Sequence, residues 1–239
     1  MILGKLNIPV ITGGGSTLKN NLIACWELDE TSGTTAYDSN GSNNCSINGA
    51  TINQAGKIGQ CYSFDGANDR LVSGLTGNMA AFTISTWINH NFSTSGGYDR
   101  IIGKQRDSPS PYQYFAIQQE ATGNTIGFYA LNTAGGFSKA ISTTSLTAGT
   151  WYHLVATFNG TVAKIYINGT NEHTGATFTG TRNYNSNPIL IGMSINGSGG
   201  ETMALKAKLD QVSIWDRVLT AAEITSLYNS GNGLAYTNW

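Results

Sequence analysis

Acidic side chains that could hydrolyse a sugar bond are rare in this sequence and poorly placed for that chemistry. A glycoside hydrolase needs two carboxyl groups across the bond that it breaks, roughly 5–9 Å apart. Glu27 and Asp29 alternate along a predicted strand and would share one of its faces. However, that strand runs into a turn at 31–33, and this run is the only candidate for such a pair. The sequence therefore predicts a protein that is not an enzyme.

Other catalytic or metal chemistries also lack support in residue type and spacing. His90, His153 and His173 lie far apart and have no adjacent Ser or Cys nucleophile motif. His153 alternates within a predicted hairpin and is expected to be a buried, hydrogen-bonded residue. No glycine-rich loop precedes a helix in the way that phosphate binding requires. The chain has three cysteines, Cys25, Cys45 and Cys61, and none has a histidine at ligand spacing, which argues against a zinc site. They predict either buried thiols or one disulfide, whose two partners the sequence does not identify.

Aromatic and guanidinium side chains on predicted loops suggest carbohydrate binding. A flat ring stacks on the C–H face of a sugar, while neighbouring polar groups contact its hydroxyls. Two long polar connections, 92–112 and 170–188, are suited to present such groups. The predicted ligand-binding residues are Tyr98, Arg100, Tyr112, Phe137, Arg182 and Tyr184. For Phe137 a place in the core is the alternative.

The composition excludes several classes of partner. Charged residues make up 11% of the 239 residues and the net charge is −1, against about 25% charged residues in a typical domain. Nucleic-acid binding needs a basic stripe that releases counterions, which this chain lacks. No apolar run approaches the roughly 18 residues of a membrane-spanning helix, so membrane insertion is not predicted. The N-terminus lacks a basic start and a long apolar stretch, so no signal peptide is predicted.

The elements that must position these residues are short strands. From residue 20 onward, strand patterns alternate with turn clusters, which is typical of a sandwich. The pairs Asn159–Gly160 and Asn168–Gly169 predict hairpin turns. Near the C-terminus, Thr220 and Glu223 have the spacing of a capping box, which predicts one short helix with an apolar face.

The first nineteen residues differ from the rest. They form a short apolar segment followed by a flexible Gly13–Gly15 joint. We therefore divide the chain into an N-terminal arm, 1–19, and one domain, 20–239. An apolar arm is a poor surface in water, so it is predicted to dock onto the domain, a sister subunit or a larger assembly. The alternative is an extra edge strand of its own sandwich.

Several motifs in order resemble those of a known fold family. They are LIACWELDETSGTTAYDSNGSNN (22–44), GKIGQCYSFDGANDRLVSG (56–74), FTISTWIN (82–89), WYHLVATFNGTVAKIYINGT (151–170), ILIGMS (189–194) and the strand and capped helix of 206–228. Over residues 20–234 the chain resembles the laminin-G-like, concanavalin A-like jelly-roll domains. The resemblance implies an all-β, two-sheet antiparallel jelly-roll sandwich with one short C-terminal helix and an N-terminal arm.

The same resemblance implies one structural calcium ion. Similar domains often hold the ion where the opening turn meets the last strand, and the matching positions here are Asp38, Asp65 and Asp210. Calcium prefers six to eight oxygen ligands. The alternative is that Asp38 and Asp65 make Asx turns, while Asp210 pairs with Lys208 or a free N–H.

These observations together predict non-catalytic recognition, most simply glycan binding or adhesion. The ending at 226–236 is similar to that of phage-encoded members of the family, and low charge and the apolar arm fit a subunit displayed on a particle. The predicted protein is thus a bacteriophage virion component, such as a head decoration, fibre or tail protein, anchored by residues 1–19 and forming a homo-oligomer or part of an assembly. Its partners would be a glycan or cell-surface polysaccharide and other virion proteins. The alternatives are a structural virion subunit without a ligand and an extracellular carbohydrate-binding module of a secreted enzyme.

Overall fold

A computed structural model describes residues 17–92, 97–105, 113–180, 182, 186–195 and 200–239, and within them the chain is mostly strand. The strands are β1 (Leu22–Trp26), β2 (Thr35–Ala36), β3 (Cys45–Asn48), β4 (Thr51–Ala55), β5 (Gln60–Asp65), β6 (Arg70–Ser73), β7 (Phe82–His90), β8 (Arg100–Gln105), β9 (Gln113–Gln119), β10 (Ile126–Leu131), β11 (Phe137–Ile141), β12 (Trp151–Phe158), β13 (Ala163–Ile167), β14 (Thr170–Thr174), β15 (Ile189–Ile191), β16 (Ser194–Ile195), β17 (Glu201–Thr202) and β18 (Lys206–Trp215). The helix α1 spans Ala221–Tyr228, and 3-10 turns cover Thr17–Lys19, Asn229–Gly231 and Tyr236–Asn238.

The strands form two large antiparallel sheets. Sheet A has the order β14-β13-β12-β7-β18-β5-β4, with β1 added to the second half of β18. Sheet B has the order β11-β10-β9-β8-β15-β6-β3-β2, and β16 and β17 form a small separate ribbon. This architecture confirms the predicted two-sheet jelly-roll sandwich with one short C-terminal helix. The predicted arm falls mainly on residues 1–16, which lie outside the described part.

The main core lies between the inner faces of the two sheets. Successive side chains of a strand point to opposite faces, so alternate residues of each strand enter this layer. Phe82 of sheet A lies at its centre, with its ring centroid 5.2 Å from that of Phe115, 5.9 Å from Phe128 and 5.8 Å from Phe158. Aromatic side chains from both sheets therefore hold the sandwich together.

A second apolar cluster covers the outer face of sheet A. Val155 and Trp215 project outward from β12 and β18, and Ile224 and Leu227 of α1 pack onto them. The C-terminal Trp239 stacks on Trp215 with a centroid distance of 5.5 Å. The predicted apolar face of the helix is therefore confirmed, and its partner is the back of the sheet. No helix in the described part of the chain has the length and apolar character to cross a membrane.

The predicted capping box is present at the start of α1. The Thr220 hydroxyl accepts a hydrogen bond from the Glu223 N–H at 3.3 Å, and the Glu223 carboxylate accepts one from the Thr220 N–H at 2.8 Å. Arg217 lies 2.7 Å from the same carboxylate and, as the main cause, holds the pKa of Glu223 down at about 2. Arg217 also donates to the Thr17 carbonyl at 2.8 Å. These contacts tie the start of the described chain to its C-terminal segment.

Residues 17–19 are integrated into the domain. Leu18 is buried in the outer cluster of sheet A, and its carbonyl accepts a hydrogen bond from the Trp215 indole N–H at 2.6 Å. The chain therefore enters the described domain on the outer side of sheet A. The predicted division into an arm, 1–19, and a domain, 20–239, stays a prediction.

Local turn predictions agree with the structure. The Asn168–Gly169 pair adopts φ values of 51° and 80° and connects β13 to β14, as a two-residue hairpin with a left-handed turn requires. Asn159–Gly160 connects β12 to β13. All three cysteines are buried and free, so the thiol alternative is the one observed.

Strict alternation of side chains along β18 is interrupted at one point. Leu209 and Ile214 are separated by an odd number of positions, yet both enter the main core, while Trp215 points outward. A bulge between Asp210 and Ser213 inserts an extra residue at Gln211, whose φ is +48°. A bulge reverses the face of every later residue in the strand.

Candidate functional site

The outer face of sheet B carries a cluster of aromatic and charged side chains at β8–β11. Ile126, Phe128 and Ala130 of β10 point into the core, so Tyr129 points outward between them. We call this cluster the aromatic surface. It comprises Tyr98, Arg100, Glu120, Tyr129, Phe137, Lys139 and Met203.

Tyr129 is the centre of the aromatic surface. Its hydroxyl donates to Glu120 Oε1 at 2.7 Å, and the Lys139 ammonium lies 4.9 Å from its ring centroid. Lys139 also pairs with the Glu120 carboxylate at 3.4 Å. The Phe137 ring lies 6.3 Å from that of Tyr129. Burial and the hydrogen bond to Glu120 raise the pKa of Tyr129, with a smaller contribution from Tyr98, so its hydroxyl remains a hydrogen-bond donor.

Arg100 supports this surface from below. It is only 2% exposed, and burial lowers the pKa of its guanidinium to about 10. Its Nη2 lies 3.3 Å from Met203 Sδ, and a Cβ on Gly103 would come within 3.0 Å of Nη1. The guanidinium therefore lies across the position where a side chain at 103 would project. Its charge opposes the rise in the Tyr129 pKa, but burial and the hydrogen bond to Glu120 outweigh this effect.

Small residues next to Tyr129 leave no bulky side chain in the middle of the aromatic surface. Gly103 of β8 is the cross-strand partner of Ala116 of β9, and Ala116 is the partner of Tyr129 of β10. The two positions beside the tyrosine in this row are therefore small residues. A Cβ on Gly127 would come within 2.1 Å of Glu120 Oε1. Glycine at 127 is therefore required for the Glu120–Tyr129 hydrogen bond, because any side chain there would occupy its space.

The aromatic surface contains most of the exposed apolar bulk in the described residues. Phe137 is 51% exposed, Met203 is 43% exposed and Tyr98 is 41% exposed. Only two other large apolar side chains of the described part are exposed, and these are Tyr37 and Val218. Apolar side chains gathered at one place and bordered by charges are typical of a ligand-binding surface.

Sequence reasoning found part of this surface. Tyr98, Arg100 and Phe137 were predicted as ligand-binding residues. Each lies near Tyr129, and their role in binding stays a prediction. Phe137 is exposed, so its alternative place in the core is wrong. The sequence prediction missed Tyr129 and Glu120; the outward position of Tyr129 in the alternating pattern of 126–131 was the available signal. Tyr112 and Tyr184, also predicted, lie outside the described residues.

Arg182 is a structural residue rather than part of the aromatic surface. Its guanidinium donates to the carbonyls of Leu131 and Tyr114, each at 3.2 Å, and to that of Met79 at 3.5 Å. It also stacks 4.4 Å from the Phe158 ring centroid. These contacts occupy its donors with main-chain carbonyls, and its ligand-binding role stays a prediction.

The three aspartates predicted to bind calcium each accept main-chain hydrogen bonds. Asp38 accepts from the N–H groups of Cys25 at 2.9 Å and Asn40 at 3.0 Å, and Asp65 accepts from Ala67 at 2.7 Å. The contacts of Asp38 and Asp65 to the residue two positions on are those of Asx turns. Within the described ranges, no three His, Cys, Asp or Glu residues converge as metal ligands. The structure therefore does not gather Asp38, Asp65 and Asp210 into one site, and calcium binding stays a prediction.

Asp210 is fully buried on the outer side of sheet A. Its Oδ2 accepts from the N–H groups of Lys57 at 2.6 Å and Ile58 at 2.8 Å. Its Oδ1 has no hydrogen-bond partner among the described residues. Burial raises the pKa of this carboxyl to about 7, against the opposing effect of the two N–H donors. The predicted pairing with a free N–H is the alternative that the geometry matches.

The remaining candidates for chemistry are structural in their contacts. Strand β1 ends at Trp26, so Glu27 and Asp29 do not share a strand face; their carboxylates accept from the Ser39 hydroxyl and the Gln60 N–H, each at 2.5 Å. His153 contacts the Ser85 hydroxyl through Nε2 at 2.8 Å, and burial lowers its pKa to about 3. His153 is thus the buried, hydrogen-bonded residue that was expected.

Comparison with known structures places the fold. The binding domain of Paraclostridial Mosquitocidal Protein 1 aligns with 90% of this chain at 19% identity and a TM-score of 0.69. Trypanosoma rangeli sialidase aligns with 89% at 16% identity and a TM-score of 0.65, and its complex with sialic acid aligns with 92% at 15% identity and a TM-score of 0.67. The chain spans 53% of the first of these proteins and 33–34% of the sialidase chains. Identities this low show the fold alone.

Sequence comparison then identifies the family. A search of curated protein sequences gave no significant match. A family model described as the concanavalin A-like lectin/glucanases superfamily matches residues 64–225, which is more than half of the chain and includes the central strands of both sheets. This protein therefore belongs to the concanavalin A-like lectin/glucanases superfamily.

Proposed function

We propose that this domain binds glycans without catalysis through the aromatic surface of sheet B. The observation that carries the proposal is the grouping of exposed Tyr98, Phe137 and Met203 around the Tyr129–Glu120–Lys139 contacts. The lectin fold of the family supports it at the level of the fold. Fold alone does not assign function, so the proposal depends on this surface.

The chemistry of the surface suits a sugar with an exposed C–H face. The rings of Phe137 and Tyr98 offer apolar area for stacking. Next to them, Glu120 accepts and Lys139 donates, so neighbouring hydroxyls of a sugar would find both kinds of partner. Glu120 and Lys139 form an ion pair with each other, and Arg100 is only 2% exposed. The exposed part of the surface therefore presents little net charge, and a neutral sugar is the favoured ligand.

Binding to a panel of neutral glycans and cell-surface polysaccharides tests the proposal. Phe137→Ala and Tyr98→Ala should each weaken binding by about tenfold, because each removes a stacking ring. Tyr37→Ala is the matched control: Tyr37 is 62% exposed and does not belong to the aromatic surface. Its variant should bind like the wild type.

Two results would contradict the proposal. One is a folded wild-type protein that binds no glycan of the panel. The other is equal weakening in the Tyr37→Ala and Phe137→Ala variants, which would mean that binding is spread over general surface. Either result would favour the alternative of a structural subunit without a glycan ligand.

We further propose that the domain is displayed on a phage particle and attached through its N-terminal arm. What supports this is the position of Thr17–Lys19, which packs on the outer side of sheet A, whereas the aromatic surface lies on the outer side of sheet B. An attachment at residue 17 would leave the aromatic surface free. Deletion of residues 1–16 should abolish co-sedimentation with particles and leave glycan binding intact; unchanged co-sedimentation would refute the attachment.

A further inference from the structure

A polar cleft opens where three neighbouring inner strands of sheet A end or begin, on the opposite side of the sandwich from the aromatic surface. Strands β5 and β7 both end at this cleft, and β18 begins at it, because β18 runs antiparallel between the other two strands. The cleft has a volume of about 610 Å³, which is within the range of small-molecule sites. Its lining includes the polar residues Ser63, Asp65, Asn89, Asn91, Lys206 and Lys208.

The register of three strands places the polar side chains of the cleft in one row. Lys208 of β18 pairs with Ser63 of β5 on one side and with Asn89 of β7 on the other. Paired residues project from the same face of a sheet. In the next row of this face, Tyr228 of α1 stacks on Trp87 at 5.9 Å. The C-terminal helix therefore covers that row, while the row of Lys208 lines open space.

Two lysines give the cleft a positive character. The side chains of Lys206 and Lys208 make no hydrogen bond or ion pair with any residue in the described ranges. The stem of Lys206 lies against the chain at Gly66, where a Cβ would be 3.1 Å from Lys206 Cβ. Asp65 is the one acidic residue of the lining, and its Oδ1 already accepts from the Ala67 N–H at 2.7 Å. Two further carboxylates lie nearby, but each is 5% exposed and accepts a main-chain N–H group: Asp69 accepts from Asp65 and Asp99 accepts from Lys206. Two ammonium groups therefore share the cleft with one exposed carboxylate.

Amide and hydroxyl groups complete the lining. Asn89 is held in place because its Nδ2 donates to the Gly149 carbonyl at 2.9 Å, which leaves its carbonyl oxygen to accept a hydrogen bond. Asn91 and Ser63 add further donors and acceptors. A row of amides and a hydroxyl beside two cations matches a ligand that has several hydroxyls and one negative charge.

We propose that this cleft binds an anionic sugar unit, with its carboxylate or sulfate between Lys206 and Lys208 and its hydroxyls on Asn89 and Asn91. The site is separate from the aromatic surface, so it does not depend on the function proposed for that surface. A neutral glycan would gain nothing from the two ammonium groups. The cleft therefore adds selectivity for acidic polysaccharides.

Binding of an oligogalacturonate, compared with its methyl ester, tests this proposal. The ester keeps the sugar framework and removes the charge. Wild-type protein should bind the acid at least about tenfold more tightly, and added salt should weaken this binding. The double variant Lys206→Gln/Lys208→Gln should lose about tenfold in affinity for the acid. Lys164→Gln, on β13 of the same sheet and outside the cleft, is the matched control and should not change binding.

The Asp65→Asn variant is expected to change affinity for the anionic probe in the opposite direction from the double lysine variant. Removing a negative charge from the cleft should raise affinity for the oligogalacturonate by about twofold or more, and a merely structural role of Asp65 would not have this effect. A sulfated neutral-backbone oligosaccharide, tested in parallel, distinguishes a sulfate from a carboxylate as the bound group. Tighter binding of either probe to the wild type than to the double variant supports the proposal.

Three results would overturn the proposal. The first is equal affinity of the wild type and the double lysine variant for both anionic probes. The second is loss of the acid probe's binding in Phe137→Ala, which would move the anion to the aromatic surface. The third is tighter binding of a poly-glutamate peptide than of either sugar probe, which would make the cleft a site for acidic peptides.

Discussion

The carboxyl of Asp210 makes the stability of this protein depend on pH. It is fully buried, and burial raises its pKa to about 7. The folded protein therefore keeps a proton that the unfolded chain has lost, so stability decreases as the pH rises from near 4 through 7. Asp210→Asn keeps an acceptor for the Lys57 and Ile58 N–H groups. It should match the wild type at pH 4 and exceed its free energy of unfolding at pH 8.

Urea unfolding at pH 4, 6 and 8 measures this difference, with exposed Asp216→Asn as the matched control. A difference between wild type and Asp210→Asn that does not change with pH would contradict the burial argument. The same proteins test the calcium prediction for Asp38, Asp65 and Asp210. If Asp210 binds calcium, a chelator should lower the melting temperature of the wild type and leave that of Asp210→Asn unchanged.

At the scale of elements, helix α1 depends on its first turn. Thr220 caps the helix, and Glu223 joins the cap to Arg217 and Thr17. Thr220→Ala should cost about 1 kcal/mol in the free energy of unfolding, because an N–H group loses its acceptor. Urea unfolding measures this cost. Thr225→Ala, an exposed position within the same helix, is the control and should be neutral or slightly stabilising, and an equal loss in both variants would contradict a specific role for the cap.

On the outer face of sheet A, the position of helix α1 determines which residues are accessible. Tyr228 of α1 stacks on Trp87 and His153, with ring centroids at 5.9 Å and 6.2 Å. Lys208 and Asn89, one row further along the same strands, line the open cleft instead. The end of a single helix therefore separates a buried row of polar and aromatic residues from an accessible one.

At the scale of the whole molecule, phenylalanine occurs both in the core and in the candidate site, with different expected effects on stability. Phe82 contacts three other phenylalanines between the sheets, and Phe82→Ala should cost about 3–5 kcal/mol through the cavity that it leaves. Phe137→Ala should change stability by less than about 0.5 kcal/mol, because that ring is half exposed. Denaturant unfolding of both variants checks this, and comparable losses would show that Phe137 is a core residue.

The sandwich also separates its candidate surfaces in space. The aromatic surface lies on the outer side of sheet B, and the polar cleft lies at the ends of inner strands of sheet A. Thr17 enters the domain on the outer side of sheet A. A domain attached at residue 17 could present the aromatic surface outward, which is the arrangement that the display proposal needs.

The sequence by itself determined the features that depend on neighbours in the chain. The capping box of Thr220 and Glu223, the Asn168–Gly169 turn and the all-β class follow from local hydrogen bonding, backbone geometry and the period of apolar residues. Ordered motifs were enough to recognise the fold. The roles of Tyr98 and Phe137 as exposed residues were also within reach, because they follow from residue type and a position near a strand end.

Only the tertiary structure decided the features that join distant parts of the chain. Arg100, Glu120 and Tyr129 meet because the register of β8, β9 and β10 aligns them, and register across strands is set by packing of the whole sandwich. The same is true of Arg182, whose donors meet carbonyls from other segments, and of the bulge at Gln211 that reverses the end of β18. Burial and pairing are properties of three-dimensional neighbours, and a linear pattern does not contain them.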